Sequence, residues 1–113
     1  MTPITQIPLA DRLHISEREW HILAGILQTH LPATTVWAFG SRANGRHIKP
    51  TSDLDLAVQG RLEPTQRALL NEALDEALLD FKVDVVELDL LDADFKARIE
   101  PDFVTLQHGP DQS

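Results

Sequence analysis

The chain has 113 residues, no cysteine, a formal net charge of −8 and 42% hydrophobic residues. This size and apolar share fit one small folded domain, and the lack of cysteine excludes disulfides, thiolate metal sites and a cysteine nucleophile. The acidic balance argues against a protein that binds nucleic acid directly through its phosphates. Neither a secretory signal nor an apolar run of membrane-spanning length is visible, so we expect a cytoplasmic protein with no membrane partner.

The predicted elements alternate between helices and strands. We expect an extended arm over residues 1–14, after which Ser16 and Glu19 form a capping box that starts a helix at Glu17. Apolar and β-branched runs bounded by Gly and Pro predict the remaining elements: a strand at 34–39, a helix of one or two turns at 41–45, a strand at 54–58, a long helix from Pro64, a strand at 83–88, a short helix capped by Asp92, an edge strand at 103–106 and a flexible tail over 107–113.

This order of elements predicts an α/β (α+β) fold, in which helices flank a small mixed sheet of three to four strands. The second and third strands are joined through a full helix, as in a parallel crossover. The first two strands have a short connection, which leaves their relative direction open. We expect one domain over residues 1–113.

A stretch free of acids surrounds the first strand. Between Trp20 and Ser52 there is no Asp or Glu, whereas Arg42, Arg46 and Lys49 all lie there. A local basic pocket in an acidic protein suits a small anion, such as a nucleoside triphosphate, better than a polymer. Chance clustering of three bases is the alternative.

Gly40, Ser41 and Arg42 form a turn that suits phosphate binding. Gly40 follows a strand and precedes a helical turn, so backbone N–H groups can approach a phosphate closely, and Ser41 adds a hydroxyl donor. Arg42 could contact phosphate or could be a solvated surface base. Taken alone, a strand-Gly-Ser-helix pattern favours an ordinary tight turn.

Asp53 and Asp55 form a pair of carboxylates on the second strand. Alternate residues of a strand share a face, so these two acids lie together while Leu54 and Leu56 enter the core. Such a pair repels itself unless a divalent cation neutralises it, and oxygen-only ligands suit Mg²⁺. The alternative is a solvent-facing strand end with two incidental acids, or Asp53 capping a loop.

Asp84 is a third acid, near the start of an otherwise apolar strand. A carboxylate there is costly unless it is paired or bound to metal. Asp84 could therefore be a third metal ligand and the base that accepts a proton from an attacking hydroxyl. A salt bridge to Lys82 or Arg61 is the alternative, and Glu87 falls on the opposite face.

Three blocks follow one another in the chain: Gly-Ser-x-Ala-x-Gly at 40–45, Ser-Asp-x-Asp-Leu at 52–56 and Val-Asp-Val-Val at 83–86, and the resemblance they carry covers residues 16–106. Together they resemble the minimal nucleotidyltransferases of the polymerase-β superfamily. The resemblance implies that Gly40, Ser41 and Arg42 bind the nucleotide. It also implies that Asp53, Asp55 and Asp84 are catalytic and hold two Mg²⁺ ions. Asn44 stands where many members have another Arg.

Stand-alone chains of this kind resemble the antitoxin of toxin–antitoxin pairs whose toxin is a helical HEPN ribonuclease. The resemblance implies a protein adenylyltransferase that moves AMP from ATP to a tyrosine of the toxin and so neutralises it. One domain leaves no room for an acceptor-binding domain, so we expect the partner to be the acceptor or to bind it. Two alternatives remain: a non-catalytic antitoxin that neutralises by binding, and a subunit that modifies small molecules such as aminoglycosides.

Overall fold

The computed structural model describes residues 9–45, 48–49 and 52–109. Its elements, in chain order, are the helices and strands α1 Leu9–Leu13, α2 Glu17–His30, β1 Val36–Phe39, α3 Ser41–Asn44, β2 Leu54–Val58, α4 Pro64–Glu76, β3 Val83–Glu87, α5 Ala93–Ile99 and β4 Val104–Gln107. Short 3-10 turns lie at Leu88–Leu90 and Glu100–Asp102. Over the described ranges, no helix is long and apolar enough to cross a membrane.

The four strands form one mixed sheet in the order β3-β2-β1-β4. Strands β2 and β3 are parallel, as the crossover through α4 predicts. The sequence left the direction of β1 relative to β2 open. In the structure β1 is antiparallel to β2, and it is also antiparallel to β4. The predicted α/β fold with a small mixed sheet is confirmed.

The chain ends differ from the prediction. The arm expected over 1–14 is wrong for its second half, since Leu9–Leu13 form α1, in which Ala10 and Leu13 are buried against the main core. At the other end, Gln107 belongs to β4, and the Gly109 N–H donates to Thr35 Oγ1 over 2.9 Å. Residues 1–8 and 110–113 lie outside the described residues.

The sheet separates two layers of apolar side chains. On one face, α1, α2 and α4 cover a core that includes Leu54 and Leu56, both fully buried as predicted. The opposite face carries a smaller cluster built around Phe39, Ala57 and Ile99, with aromatic rings packed on it. This smaller cluster covers only part of its face, and the predicted acids belong to the same face.

A buried carboxylate joins α2 to the segment that leads into β3. Glu19 is 5% exposed and accepts hydrogen bonds from the Ser16 N–H (3.1 Å), the Ser16 hydroxyl (3.0 Å) and the Asp80 N–H (3.0 Å). Burial by itself raises the pKa of Glu19. The hydrogen bonds from Asp80 and Ser16, with the charge of Arg18, outweigh that effect and hold the pKa below its ordinary value of 4.5.

Replacing Glu19 with glutamine should lower the free energy of unfolding at pH 7 by about 1–3 kcal/mol, because a charged acceptor of three bonds is lost. A carboxyl with a lowered folded-state pKa stabilises the fold above its unfolded pKa and loses that effect as pH falls. The difference between wild type and Glu19→Gln in urea unfolding should therefore shrink below pH 4.5. Glu17→Gln, an exposed acid of the same helical turn, is the control; an equal loss in that control would contradict the argument.

Candidate active site

The turn after β1 brings the backbone against an acid of β2. Gly40 has φ +81° and ψ −161°, a conformation that is nearly exclusive to glycine. A Cβ at this position would lie 2.5 Å from Asp55 Oδ2, so the carboxylate occupies the space that a side chain would fill. The Gly40 carbonyl accepts from the Ala43 and Asn44 N–H groups (3.0 and 2.9 Å), which starts α3 at Ser41.

The three predicted acids are placed by the register of β2 and β3. Asp55 lies directly opposite Asp84 across the parallel pair, so both side chains are on the same face. On its other side, Asp55 is paired with Phe39, the last residue of β1. Asp53 is exposed and lies just before β2. The fold thus brings Asp55 and Asp84 face to face next to the Gly40-Ser41 turn, with Asp53 just before β2.

The acids act on one another electrostatically. Burial raises the pKa of the Asp55 carboxyl above its ordinary value of 3.8, and the negative charges of Asp84 and Asp53 raise it further. A raised pKa means that the ionised form of Asp55 is disfavoured in the folded protein. The three acids therefore concentrate negative charge at this point of the sheet.

We expect Asp55→Asn to stabilise the metal-free protein at neutral pH. Because the folded-state pKa of Asp55 is raised, its contribution to stability is present below the unfolded pKa and is lost as pH rises through the folded pKa. Thermal unfolding in a chelator should show the higher stability of Asp55→Asn at pH 7 and no difference from wild type near pH 3.

Mg²⁺ at a hundredfold excess over its Kd should stabilise wild type by about 2.7 kcal/mol. A larger gain from Mg²⁺ in the variant would contradict this interpretation.

The donor set fits Mg²⁺ in chemistry, although the acids alone are not a closed metal centre. Within the described ranges, no group of three or more His, Cys, Asp or Glu residues is gathered so that it could hold a metal ion. Protein Mg²⁺ sites commonly use one or two carboxylates and complete their shell with water and substrate phosphates. Asp55 and Asp84 supply two such carboxylates, with Asp53 nearby.

Arg42 does not have the position expected of a phosphate ligand. It is 4% exposed, and its guanidinium donates to two backbone carbonyls, from Nε to Ser52 (2.8 Å) and from Nη1 to His14 (2.7 Å). The same group stacks over Phe81, 4.7 Å from the ring centroid. These contacts hold Nε and Nη1 within the protein, and binding of the nucleotide by Arg42 stays a prediction. Of the other two bases, Lys49 is exposed and Arg46 lies outside the described residues.

The acids of β3 have different partners. Asp84 Oδ1 lies 3.8 Å from Lys82 Nζ, which is the alternative pairing that the sequence suggested, but Lys82 is exposed and Asp84 only half-buried, and such a pair is weak. Glu87 is on the other face, where it accepts from the Leu62 N–H over 2.8 Å and pairs with Arg67. Asp84 is thus free to exchange Lys82 for another cation.

Two contacts of α3 were not foreseen. Asn44 Nδ2 donates to Asp102 Oδ2 over 3.1 Å, which ties the helix to the 3-10 turn before β4. Arg42 Nη1 donates a hydrogen bond to the backbone carbonyl of His14, and His14 has a left-handed φ of +59°. No local sequence signal indicates either contact, because each joins segments that are far apart in the chain.

Comparison with known proteins agrees with this fold. The family described as "Polymerase beta, Nucleotidyltransferase" matches residues 22–106. The chain belongs to this family of nucleotidyltransferases, as its three sequence blocks predict. It is 39% identical over 98 residues to the "Probable protein adenylyltransferase MntA" of Haemophilus influenzae, and the match covers 85% of each chain.

Solved structures share the fold. A crystal structure of a toxin–antitoxin with AMP-PNP matches with a TM-score of 0.63 and 24% identity, over 80% of this chain and 74% of that one. A mutant of the toxin–antitoxin MntA-HpeT matches with a TM-score of 0.62 and 25% identity, over 85% and 75% of the two chains. These likenesses support the polymerase-β-like architecture.

Proposed function

We propose that this chain is a Mg²⁺-dependent protein adenylyltransferase and the antitoxin of a toxin–antitoxin pair, which transfers AMP from ATP to a HEPN-type ribonuclease toxin and so neutralises it. The observation that carries the proposal is the site itself, in which Asp55 packs on Gly40 and faces Asp84 across two parallel strands. The likeness to MntA over most of the chain supports a protein as the acceptor.

The transfer is a displacement at the α-phosphorus of ATP. A hydroxyl oxygen of the toxin forms the new bond to this phosphorus, the bond from it to the oxygen that leads to the β-phosphate breaks, and pyrophosphate leaves. Asp84, whose carboxylate is only partly buried, takes the proton of the hydroxyl. Gly40 and Ser41 bind the phosphates of the nucleotide, and Gly40 allows the close approach of the backbone.

Asp53, Asp55 and Asp84 would hold the Mg²⁺ ions, which would supply charge neutralisation at the phosphates. The electrostatic strain among these acids supports this assignment, since burial, Asp84 and Asp53 all raise the pKa of Asp55. The chain's own contribution is to keep Asp55 and Asp84 on one face beside the phosphate turn, with Asp53 just before β2, where they would orient the ions and the nucleotide.

The proposal is tested by mass spectrometry of the partner. The protein encoded next to this chain, expected to be small and helical with an Arg-x-x-x-x-His pattern, would be incubated with the chain, ATP and Mg²⁺. We expect the partner to gain one or more AMP units and to lose ribonuclease activity. An ATP analogue with a methylene bridge between the α- and β-phosphates is the control, because the bond that must break is replaced, and it should give no gain.

Other outcomes would replace the proposal. If the toxin were neutralised with no gain in mass, the chain would act by binding alone. If an aminoglycoside were modified in the absence of any protein partner, the chain would be a small-molecule nucleotidyltransferase.

A further inference from the structure

The guanidinium of Arg42 contacts three separate segments that surround the site. It donates to the carbonyls of Ser52 and His14, over 2.8 and 2.7 Å, and lies over the ring of Phe81. The side chain is 4% exposed, so these contacts are made away from bulk water. Hydrogen bonds from a charged donor in such surroundings are strong and strongly directional.

Two of these contacts, those with Ser52 and Phe81, lie close in the chain to acids of the proposed site. Ser52 immediately precedes Asp53, and Arg42 itself immediately follows Ser41. Phe81 is buried and leads into β3, which carries Asp84. The beginnings of β2 and β3 are also hydrogen-bonded to each other, because the Leu54 N–H donates to the Lys82 carbonyl over 2.8 Å.

We propose that Arg42 is a positioning residue, whose buried guanidinium fixes the distance between the phosphate-binding turn and the acids of β2 and β3. The proposal rests on the proposed function for the identity of the site, and it replaces direct contact between Arg42 and the nucleotide. Arg42 holds the start of β2 from one side through Ser52, and the start of β3 through Phe81. Asp53 and Asp55 consequently keep their place relative to Ser41.

The planar fork of an arginine is needed for this task. Nε and Nη1 point in different directions, and here they reach carbonyls of segments that are 38 positions apart in the chain. A lysine has one compact ammonium on a flexible stem and cannot reproduce two diverging bonds together with stacking on a ring. A phosphate contact, by contrast, depends mainly on positive charge, which a lysine keeps.

The experiment compares Arg42→Lys and Arg42→Met with Arg18→Met. Arg18 is a matched control, because its guanidinium also donates to a backbone carbonyl, that of Leu78 at 3.2 Å, but on the exposed surface. Three quantities are measured at a temperature at which circular dichroism shows each variant to be folded. They are kcat for AMP transfer, KM for ATP, and the affinity for Mn²⁺ in the absence of nucleotide.

We expect both Arg42 variants to lose about tenfold or more in kcat and in Mn²⁺ affinity, the usual cost of removing a group that orients metal ligands, with little change in KM. Arg18→Met should match wild type in all three. A different result would make Arg42 a phosphate ligand and overturn the proposal. In that result KM for ATP rises while Mn²⁺ affinity is unchanged, and Arg42→Lys keeps a KM closer to that of wild type than Arg42→Met does. Unchanged kcat and Mn²⁺ affinity in the folded variants would reduce its role to stability and also overturn it.

Failure of the proposed function would be recognised separately. In that case wild type itself would transfer no AMP, whereas the Mn²⁺ measurement needs neither ATP nor toxin. Hydrogen exchange of the Leu54 amide supplies a further readout that needs no ligand. This amide should exchange faster in both Arg42 variants than in Arg18→Met, because the start of β2 is released when the Ser52 carbonyl loses its donor.

Discussion

The double replacement of Asp53 and Asp55 by asparagine is expected to abolish AMP transfer and to leave the protein folded. Asparagine keeps the shape of each side chain and removes two negative charges next to Asp84, in a region where burial and like charges raise the pKa of Asp55. The variant should therefore be at least as stable as wild type in the absence of metal. Its transfer rate should fall by more than about 100-fold, the usual cost of losing one group that stabilises developing charge in a transition state.

The control for this variant is Asp89→Asn. Asp89 is an exposed acid in the 3-10 turn after β3, so its replacement changes the net charge without touching the face that carries Asp55 and Asp84. Labelled AMP transferred to the toxin is measured for both variants, and thermal unfolding establishes that both are folded. Transfer by the double variant at more than a tenth of the wild-type rate would show that these carboxylates do not carry the reaction.

The features of the site that depend on local geometry could be predicted from the sequence. Strand alternation places Asp55 on the face opposite to Leu54 and Leu56, which enter the core and are fully buried. Asp84 follows from the same argument once β3 is parallel to β2, since the register then sets it opposite Asp55. The family follows from the three sequence blocks, and the match over residues 22–106 confirms it.

The features that depend on distant contacts could not be predicted. Nothing local to Arg42 indicates whether its long side chain reaches outward to solvent or inward, and the answer depends on carbonyls of Ser52 and His14 that folding brings near it. The direction of β1 against β2 was open for a similar reason, because a short connection does not by itself determine which way the second strand runs. Helix α1 is five residues long, too short for an apolar repeat to distinguish it from an extended arm.

Gly40→Ala should nearly abolish AMP transfer, and the reason lies in what the new methyl group meets. A Cβ on Gly40 would be 2.5 Å from Asp55 Oδ2, a separation that forces one of the two to move. The end of the Asp55 side chain is the easier to displace, so the carboxylate leaves its place opposite Asp84. A shift of about 1 Å in a positioned group can cost on the order of 100-fold in rate. Alanine in the backbone conformation of Gly40 also adds strain of about 1–3 kcal/mol to the folded state.

Gly60→Ala separates the displacement of the Asp55 carboxylate from the backbone strain of an alanine at positive φ. Gly60 also has a positive φ, +76°, but a Cβ there would meet nothing within 4 Å. Alanine at Gly60 should therefore lower the free energy of unfolding by about 1–2 kcal/mol and leave the rate of AMP transfer unchanged. If strain alone explained the loss in Gly40→Ala, the two variants would lose activity in proportion to their loss of stability. A large loss of activity in Gly40→Ala alone, measured where both are folded, would instead assign that loss to the displaced carboxylate of Asp55.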